Sequence, residues 1–459
     1  MTDPHLVLVV GAGPAGLFAT KKLAESGQRV LLLNRDVKPG GLAEYGIFPT
    51  KHTMKEGLRK QFRKVLALPN VRYLGNVRVH TEGDLRLEDL RALGASALVV
   101  AAGAQGTKSL GLPGEEAEGV FHAKDLVYHY NGLPPFSERD FPIGERCAVV
   151  GIGNVMVDVA NYLVHFRKVK ELVAVARRGP AERAYDRKEF KVVAPNLDRE
   201  ALAAEIGRIA SRLEAVGQDP NALLERIAED TPPGVFPEGG TRLLFRFLAS
   251  PKRVLADERG RVRGLEVEET RLVAKGDSTS AKGTGETSVL DVDTVIFAIG
   301  DRVDPALGLP VDGSAYRTNP DRRGGTPDPA DYEVYDEPSG GPIEGLFVVG
   351  WSRKASEGLV GKARQDGDNG AQVVLRYLEG VPALSEKEAD AALASAERRL
   401  REKVPDAVPR EAIVLLEAAE DEEGERRGDP EFKWGRNEEM LGVIAARSAT
   451  GTRRRDAAS

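Results

Sequence analysis

The chain has 459 residues, 41% hydrophobic and 30% charged, enough for two or three domains with a buried core. A net charge of −6 and a pI near 5.8 argue against a general nucleic-acid binder, which carries a basic excess. The only cysteine, Cys147, excludes an internal disulfide, a CxxC redox pair and a cysteine-rich metal site, and no apolar run is long enough to span a bilayer.

In chain order, the first element is the apolar run Leu6–Val10, expected to be a parallel strand buried on both faces. With a strand starting there, no signal peptide is expected and the cytoplasm is the expected location. Gly11, Gly13, Pro14, Ala15 and Gly16 follow, then a helical stretch Leu17–Glu25 and a second strand Arg29–Leu33. This strand–turn–helix–strand order reads as a dinucleotide seat. Gly11 makes the tight turn, Gly13 lets the backbone approach a pyrophosphate, and Gly16 allows close packing of helix on strand. The helix N-terminus adds N–H donors and partial positive charge. Asn34 stands where an Asp or Glu normally accepts from the ribose. Its uncharged oxygen makes a weaker bond, and Asp36 is the alternative acceptor.

Residues 51–64 carry Lys51, Lys55, Arg59, Lys60, Arg63 and Lys64 against one acid, Glu56. Lys55, Arg59 and Arg63 recur at i, i+4, and Leu58, Phe62 and Val65 form an apolar face, so the pattern predicts an amphipathic helix with a cationic side. Ala97–Ala104, which includes Ala102 and Gly103, is an apolar strand ending in small residues, a place where a chain passes beneath a nucleotide and crosses between domains.

A second seat follows: strand Cys147–Val150, turn Gly151-Ile152-Gly153-Asn154, helix Val155–Phe166 and strand Glu171–Ala176. Met156 replaces the third small residue. The second strand runs into Arg177 and Arg178, with no acid for a 2′-hydroxyl, and two guanidiniums suit a 2′-phosphate, favouring NADP(H) over NAD(H). Residues 198–230 have helical spacing, strands are expected near 243–248 and 261–273, and Arg242, Arg246, Lys252 and Arg253 form a second basic cluster. Thr294–Gly300 is another apolar strand with a small-residue end. The stretch 312–342 reads as a long loop, and Leu346–Gly350 as a late strand. The acidic run Glu417–Glu425 and the tail after about 447 read as surface or disordered.

Several of these segments together resemble the adrenodoxin-type NADPH–ferredoxin reductases, relatives of the glutamate synthase small subunit. They are PGGLAEYGIFP (39–49), GLPGEEAEGVFHAKDLVYHYNGLP (111–134), GNVMVDVA (153–160), RRGP (177–180) and GWSRKASEGLVG (350–361). The resemblance covers most of residues 5–445. It implies an α/β protein with two Rossmann-like dinucleotide-binding domains: an FAD domain from 1–106 and 303–459, and an NADP domain from 107–302 with the helical insertion at about 198–230. Ala15, Leu42, Val79, Trp351, Gly358, Leu359 and Val360 would line FAD. Ile152, Gly153, Asn154, Val155, Arg177, Arg178 and Glu189 would hold NADP. Asp158, Trp351 and Gly358 would stand near the reacting cofactors. The family's Pro-Asp-His-Pro is here Pro49-Thr50-Lys51-His52, and its Thr-Gly before the last helix is Glu357-Gly358.

The expected activity is electron transfer from NADPH through FAD to an acidic ferredoxin-like iron–sulfur protein, without a thiol relay. Either basic cluster would serve as the docking face. The alternatives are an NADPH dehydrogenase serving a quinone or another flavoprotein complex, and a flavin-deficient nucleotide-binding subunit.

Overall fold

The computed structural model describes residues 3–229, 240–276, 278–355 and 360–456. The chain divides into two compact units, Met1–Thr107 with Tyr128–Glu138 and Gly300–Ser459, and Lys108–Val127 with Arg139–Ile299. Each is an α/β unit built on a largely parallel sheet.

The first unit begins with β1 (Leu6–Val10), α1 (Pro14–Glu25) and β2 (Arg29–Leu33). Strands β1 and β2 pair in parallel from Leu6 opposite Arg29 to Val10 opposite Leu33, and all their residues are buried. Such unbroken apolar strands need a sheet covered on both faces. Next come α2 (Leu42–Tyr45), α3 (His52–Leu66), β3 (Val71–Gly75) and β4 (Ala97–Val100).

The second unit holds β5 (Val120–His122), β6 (Arg146–Val150), α4 (Asn154–Tyr162), β7 (Glu171–Val175), α5 (Arg187–Phe190), α6 (Arg199–Glu214), α7 (Pro220–Ala228) and β8 (Arg242–Arg246). Strands β9 (Ala249–Ala256), β10 (Val262–Lys275), β11 (Ser278–Leu290) and β12 (Thr294–Phe297) complete it. The order β5-β12-β6-β7-β8 is parallel throughout, and β9-β10-β11 form a separate antiparallel sheet. The helical excursion expected at 198–230 is the pair α6 and α7, each opened by an aspartate, Asp198 and Asp219, whose side chain accepts from backbone N–H groups of the first turn.

Back in the first unit are β13 (Glu333–Asp336), β14 (Gly341–Val348), α8 (Val360–Leu378), α9 (Glu386–Lys403), β15 (Val408–Pro409), α10 (Arg410–Arg427) and α11 (Asn437–Asp456). Its sheet has the order β13-β14-β4-β1-β2-β3-β15. Helices α1 and α8 cross closely because their facing residues are small: a Cβ on Gly367 would lie 2.3 Å from the Ala15 carbonyl oxygen.

Three expectations need correction. The stretch 312–342 is not all loop: it contains β13, most of the hairpin Val311–Asp312 with Ala315–Tyr316, and the start of β14. The acidic run Glu417–Glu425 lies within α10, with Glu420 buried. Helix α11 continues past 447 to Asp456.

Candidate functional site

The first cradle is the turn from β1 into α1. Gly11 has φ 108°, a left-handed backbone open to glycine, and a Cβ there would lie 2.4 Å from the Ala101 carbonyl oxygen. A Cβ on Gly16 would lie 1.9 Å from the Gly11 carbonyl oxygen, so helix and turn meet only without side chains. At Gly13, the N-cap of α1, a Cβ would meet nothing within 4 Å. That is open space in front of a helix N-terminus, and it fits a pyrophosphate.

Asn34 lies beneath this turn and is 6% exposed. Its Oδ1 accepts from the Ala12 N–H at 3.0 Å, and its Nδ2 donates to the carbonyls of Asp36 and Lys38 at 2.9 Å each. The amide therefore binds the glycine turn to the loop after β2. Asp36 is ion-paired to Arg35. The loop through Gly40 and Gly41 closes over the turn. The Gly40 N–H donates to the Ala12 carbonyl at 2.7 Å, and a Cβ on Gly41 would lie 3.0 Å from the Gly13 Cα. Leu42 opens α2 beside this loop, whereas Val79 lies in the apolar core.

Gly103, after β4, donates its N–H to Ser352 Oγ at 3.0 Å, and Ala102 packs beside it against the core. This bond joins the end of β4 to the turn Gly350–Ser352, which carries the half-buried Trp351. Asp366 of α8 braces that turn: its carboxylate accepts from the Gly350 N–H, from the Arg353 guanidinium and from the Tyr332 hydroxyl. The Arg353 guanidinium also lies over the Tyr332 ring at 4.3 Å. Burial and Asp366 push the Tyr332 hydroxyl up to about 12. Sequence reasoning missed Asp366, Arg353 and Tyr332, because no local pattern ties an acid in one helix to a preceding turn. Val360 begins α8, packed against the core. Glu357, Gly358 and Leu359 lie outside the described residues.

The second cradle is the turn from β6 into α4. Gly151 has φ 119°, and a Cβ there would lie 2.4 Å from the Ala298 carbonyl oxygen. Gly153, the N-cap of α4, again has nothing within 4 Å of a Cβ. The Ile152 carbonyl accepts from the Ala184 N–H at 3.0 Å, and Asn154 Oδ1 accepts from the Asp186 N–H at 2.7 Å. These bonds draw the loop before α5 against the turn. Val155 is exposed, Met156 is fully buried, and Asp158 is partly buried on α4. Glu189 lies partly buried on α5.

Arg177 and Arg178 follow β7, the first exposed and the second partly so. Among the described residues neither guanidinium makes a hydrogen bond or an ion pair, so both donor sets are available to a phosphate. The space before Gly153 and this pair of guanidiniums fit a phosphorylated dinucleotide.

The basic clusters are not the open cationic faces their sequence predicts. Lys55 is buried, bonded to Asn131 Oδ1 and Glu431 at 3.1 Å each. Arg59 pairs with Glu44 and Glu431, and Arg63 with Glu56 and Glu417. In the second cluster Arg242 pairs with Asp198 and Glu171, Arg246 with Glu269, Lys252 with Glu268 and Arg253 with Glu266. Apart from Glu56, on the same helix, the acids lie outside the two basic runs, where the local charge pattern gives no sign of them. Lys60 and Lys64 stay exposed, as does His52 at the start of α3.

Cys147 is buried in β6, and burial, with Asp293 adding to it, pushes its thiol up to about 12, far from the reactive thiolate. No group of histidine, cysteine and carboxylate side chains among the described residues is arranged to hold a metal ion. No helix among them is long and apolar enough to cross a membrane.

The family described as pyridine nucleotide-disulphide oxidoreductase matches residues 5–206. NADPH-ferredoxin reductase FprA of Mycobacterium leprae is 28% identical over 471 residues, covering 96% of this chain and 98% of that protein. The mitochondrial NADPH:adrenodoxin oxidoreductase of Bos taurus is 27% identical over 409 residues, covering 81% of this chain and 79% of its own. Among solved structures, Mycobacterium tuberculosis FprA in complex with NADPH matches with a TM-score of 0.80 at 26% identity, covering 96% of this chain and 100% of that one.

Proposed function

Because the chain belongs to the adrenodoxin reductase/FprA family of pyridine nucleotide-disulphide oxidoreductases, we propose that it is an FAD-dependent enzyme passing electrons from NADPH to an acidic ferredoxin-like iron–sulfur protein in the cytoplasm. The observation that carries this reading is a pair of glycine cradles in one chain whose single thiol is buried and protonated. Electrons would then pass from one nucleotide to the other without a disulfide between input and output.

Bound FAD supplies the step from hydride input to single-electron output. The chain's own residues orient and hold. In the first unit the N-terminus of α1, with Gly11, Gly13, Pro14, Ala15 and Gly16, takes the FAD pyrophosphate. Leu42, Ala102, Gly103, Trp351 and Val360 would border the rest of that cofactor, and the resemblance assigns Gly358 and Leu359 to the same role. Asn34 acts by shaping the turn, since its amide is already engaged with backbone. In the second unit Ile152, Gly153, Asn154 and Val155 take the NADP pyrophosphate, Arg177 and Arg178 its 2′-phosphate, and Glu189 lies further along the same nucleotide. Asp158, Trp351 and Gly358 are assigned to the surroundings of the reacting rings.

The absorption spectrum tests this directly. The purified protein should show flavin bands that NADPH bleaches faster than NADH, and the reduced protein should then reduce a purified ferredoxin. A colourless protein unable to take up FAD would instead identify a nucleotide-binding subunit without flavin. A second reading, delivery to a quinone, is favoured by the internal pairing of both basic clusters, which removes charge that would steer an acidic partner. Faster turnover with quinone than with ferredoxin would select it.

A further inference from the structure

Strand β7 ends at Val175, and the next three carbonyls are all held from one place, the corner where β8 leaves the parallel sheet and β9 enters the antiparallel one. Leu248 forms that corner. It is fully buried and its backbone is left-handed, φ 51°, an unfavourable conformation for a bulky side chain. In this conformation the Leu248 N–H donates to the Arg178 carbonyl at 3.2 Å, and the Leu248 carbonyl accepts from the Thr270 N–H at 2.8 Å. The Ala249 N–H donates to the Ala176 carbonyl at 2.9 Å. Thr270, on β10 and 3% exposed, donates its hydroxyl to the Arg177 carbonyl at 2.7 Å.

Ala176, Arg177 and Arg178 are thus each fixed by a single donor. Two of these donors are backbone amides; only the Thr270 hydroxyl belongs to a side chain and can be removed without rerouting the chain. The fixation matters because guanidiniums on long stems recognise a phosphate through planar, bidentate geometry, and that geometry starts from where the backbone points them. Nothing else in the described structure restrains the two guanidiniums by hydrogen bond or ion pair.

We propose that Thr270 is a positioning residue for cofactor choice: its buried hydroxyl locks the Arg177 backbone and so aims the Arg177–Arg178 pair at the 2′-phosphate that separates NADP(H) from NAD(H). This rests on the assignment of those arginines to that phosphate. The antiparallel sheet of the second unit is then more than a decoration of the parallel one, since its middle strand carries the specificity brace.

Calorimetric titration of the purified full chain with 2′,5′-ADP and with 5′-ADP separates the two claims. In Thr270→Val, which keeps the shape and strand preference of the side chain, affinity for 2′,5′-ADP should fall about tenfold and that for 5′-ADP should hold, as for loss of one oriented charged contact. Thr270→Ser, which keeps the hydroxyl, should retain the parent's preference. Thr270→Ala serves the same comparison should the valine variant not fold. Equal weakening toward both ligands, or an unchanged preference without the hydroxyl, overturns the positioning role. A parent that does not distinguish the ligands, or an Arg177→Ala/Arg178→Ala variant that keeps the full preference, overturns the phosphate assignment itself.

Discussion

Asn34 occupies the position where sequence comparison expects an acid for the ribose, and the fold gives it a different task. Its amide makes three hydrogen bonds to backbone at 2.9–3.0 Å, and in two of them it donates. An aspartate there cannot donate; its carboxylate would face the carbonyls of Asp36 and Lys38 in a site 6% exposed. Asn34→Asp is therefore expected to lower stability by about 2 kcal/mol without tightening FAD. Urea unfolding and FAD titration check this, and a variant that binds FAD more tightly would return the position to ribose recognition. The sequence told which residue was unusual here. It did not tell why, because the partners are main-chain atoms whose positions depend on the loop. Cys147 is the contrasting case: its lack of a second thiol was legible outright, and the fold adds only that burial keeps it protonated.

At the scale of elements, the helical period of 52–66 was readable and the fate of its charges was not. Arg59 meets Glu44 and Glu431, 15 and 372 positions away, and Arg63 meets Glu417, 354 positions away. Helix α10, whose segment Glu417–Glu425 reads in the sequence as surface or disordered, supplies part of this network, and Glu420 within it binds the buried Lys38. Lys55 is the costly member. Burial first, then the neighbouring Lys433, hold its ammonium down to about 7 against the pull of Glu431 and Glu44, from an ordinary value of 10.5. Above pH 7 the unfolded chain thus binds a proton that the folded chain has released, so this residue makes stability rise with pH; below 7 its full cost is carried. Lys55→Met should remove a rise on the order of 2 kcal/mol between pH 7 and 9. Arg59 still neutralises Glu431 in that variant, so no acid is stranded. Denaturation of both proteins at several pH values within this window checks it. The window stops at 9 because Cys147, deprotonating sooner in the unfolded chain, lowers stability above it.

For the whole molecule, both parallel sheets were visible because their strands are unbroken apolar runs punctuated by glycine turns. The antiparallel sheet was only partly visible: β11 is rich in serine, threonine and glycine, mostly exposed, and lacks the alternation that marks a half-buried strand. The same scale decides how a charged partner approaches. A chain of net charge −6 attracts an acidic protein only if some face concentrates positive charge. The two clusters that offered such a face pair most of their cations with carboxylates of the same chain. Their fields largely cancel beyond the Debye length, about 8 Å at physiological ionic strength. Ferredoxin reduction is therefore expected to change by less than about threefold between 50 and 300 mM salt, where a strongly steered encounter would slow far more. Stopped-flow rates at rising ionic strength measure this. A steep fall would mean that docking uses exposed cations that make no ion pair within the chain. Reversing the exposed Lys60 and Lys64 to glutamate would then show whether the unpaired side of α3 contributes.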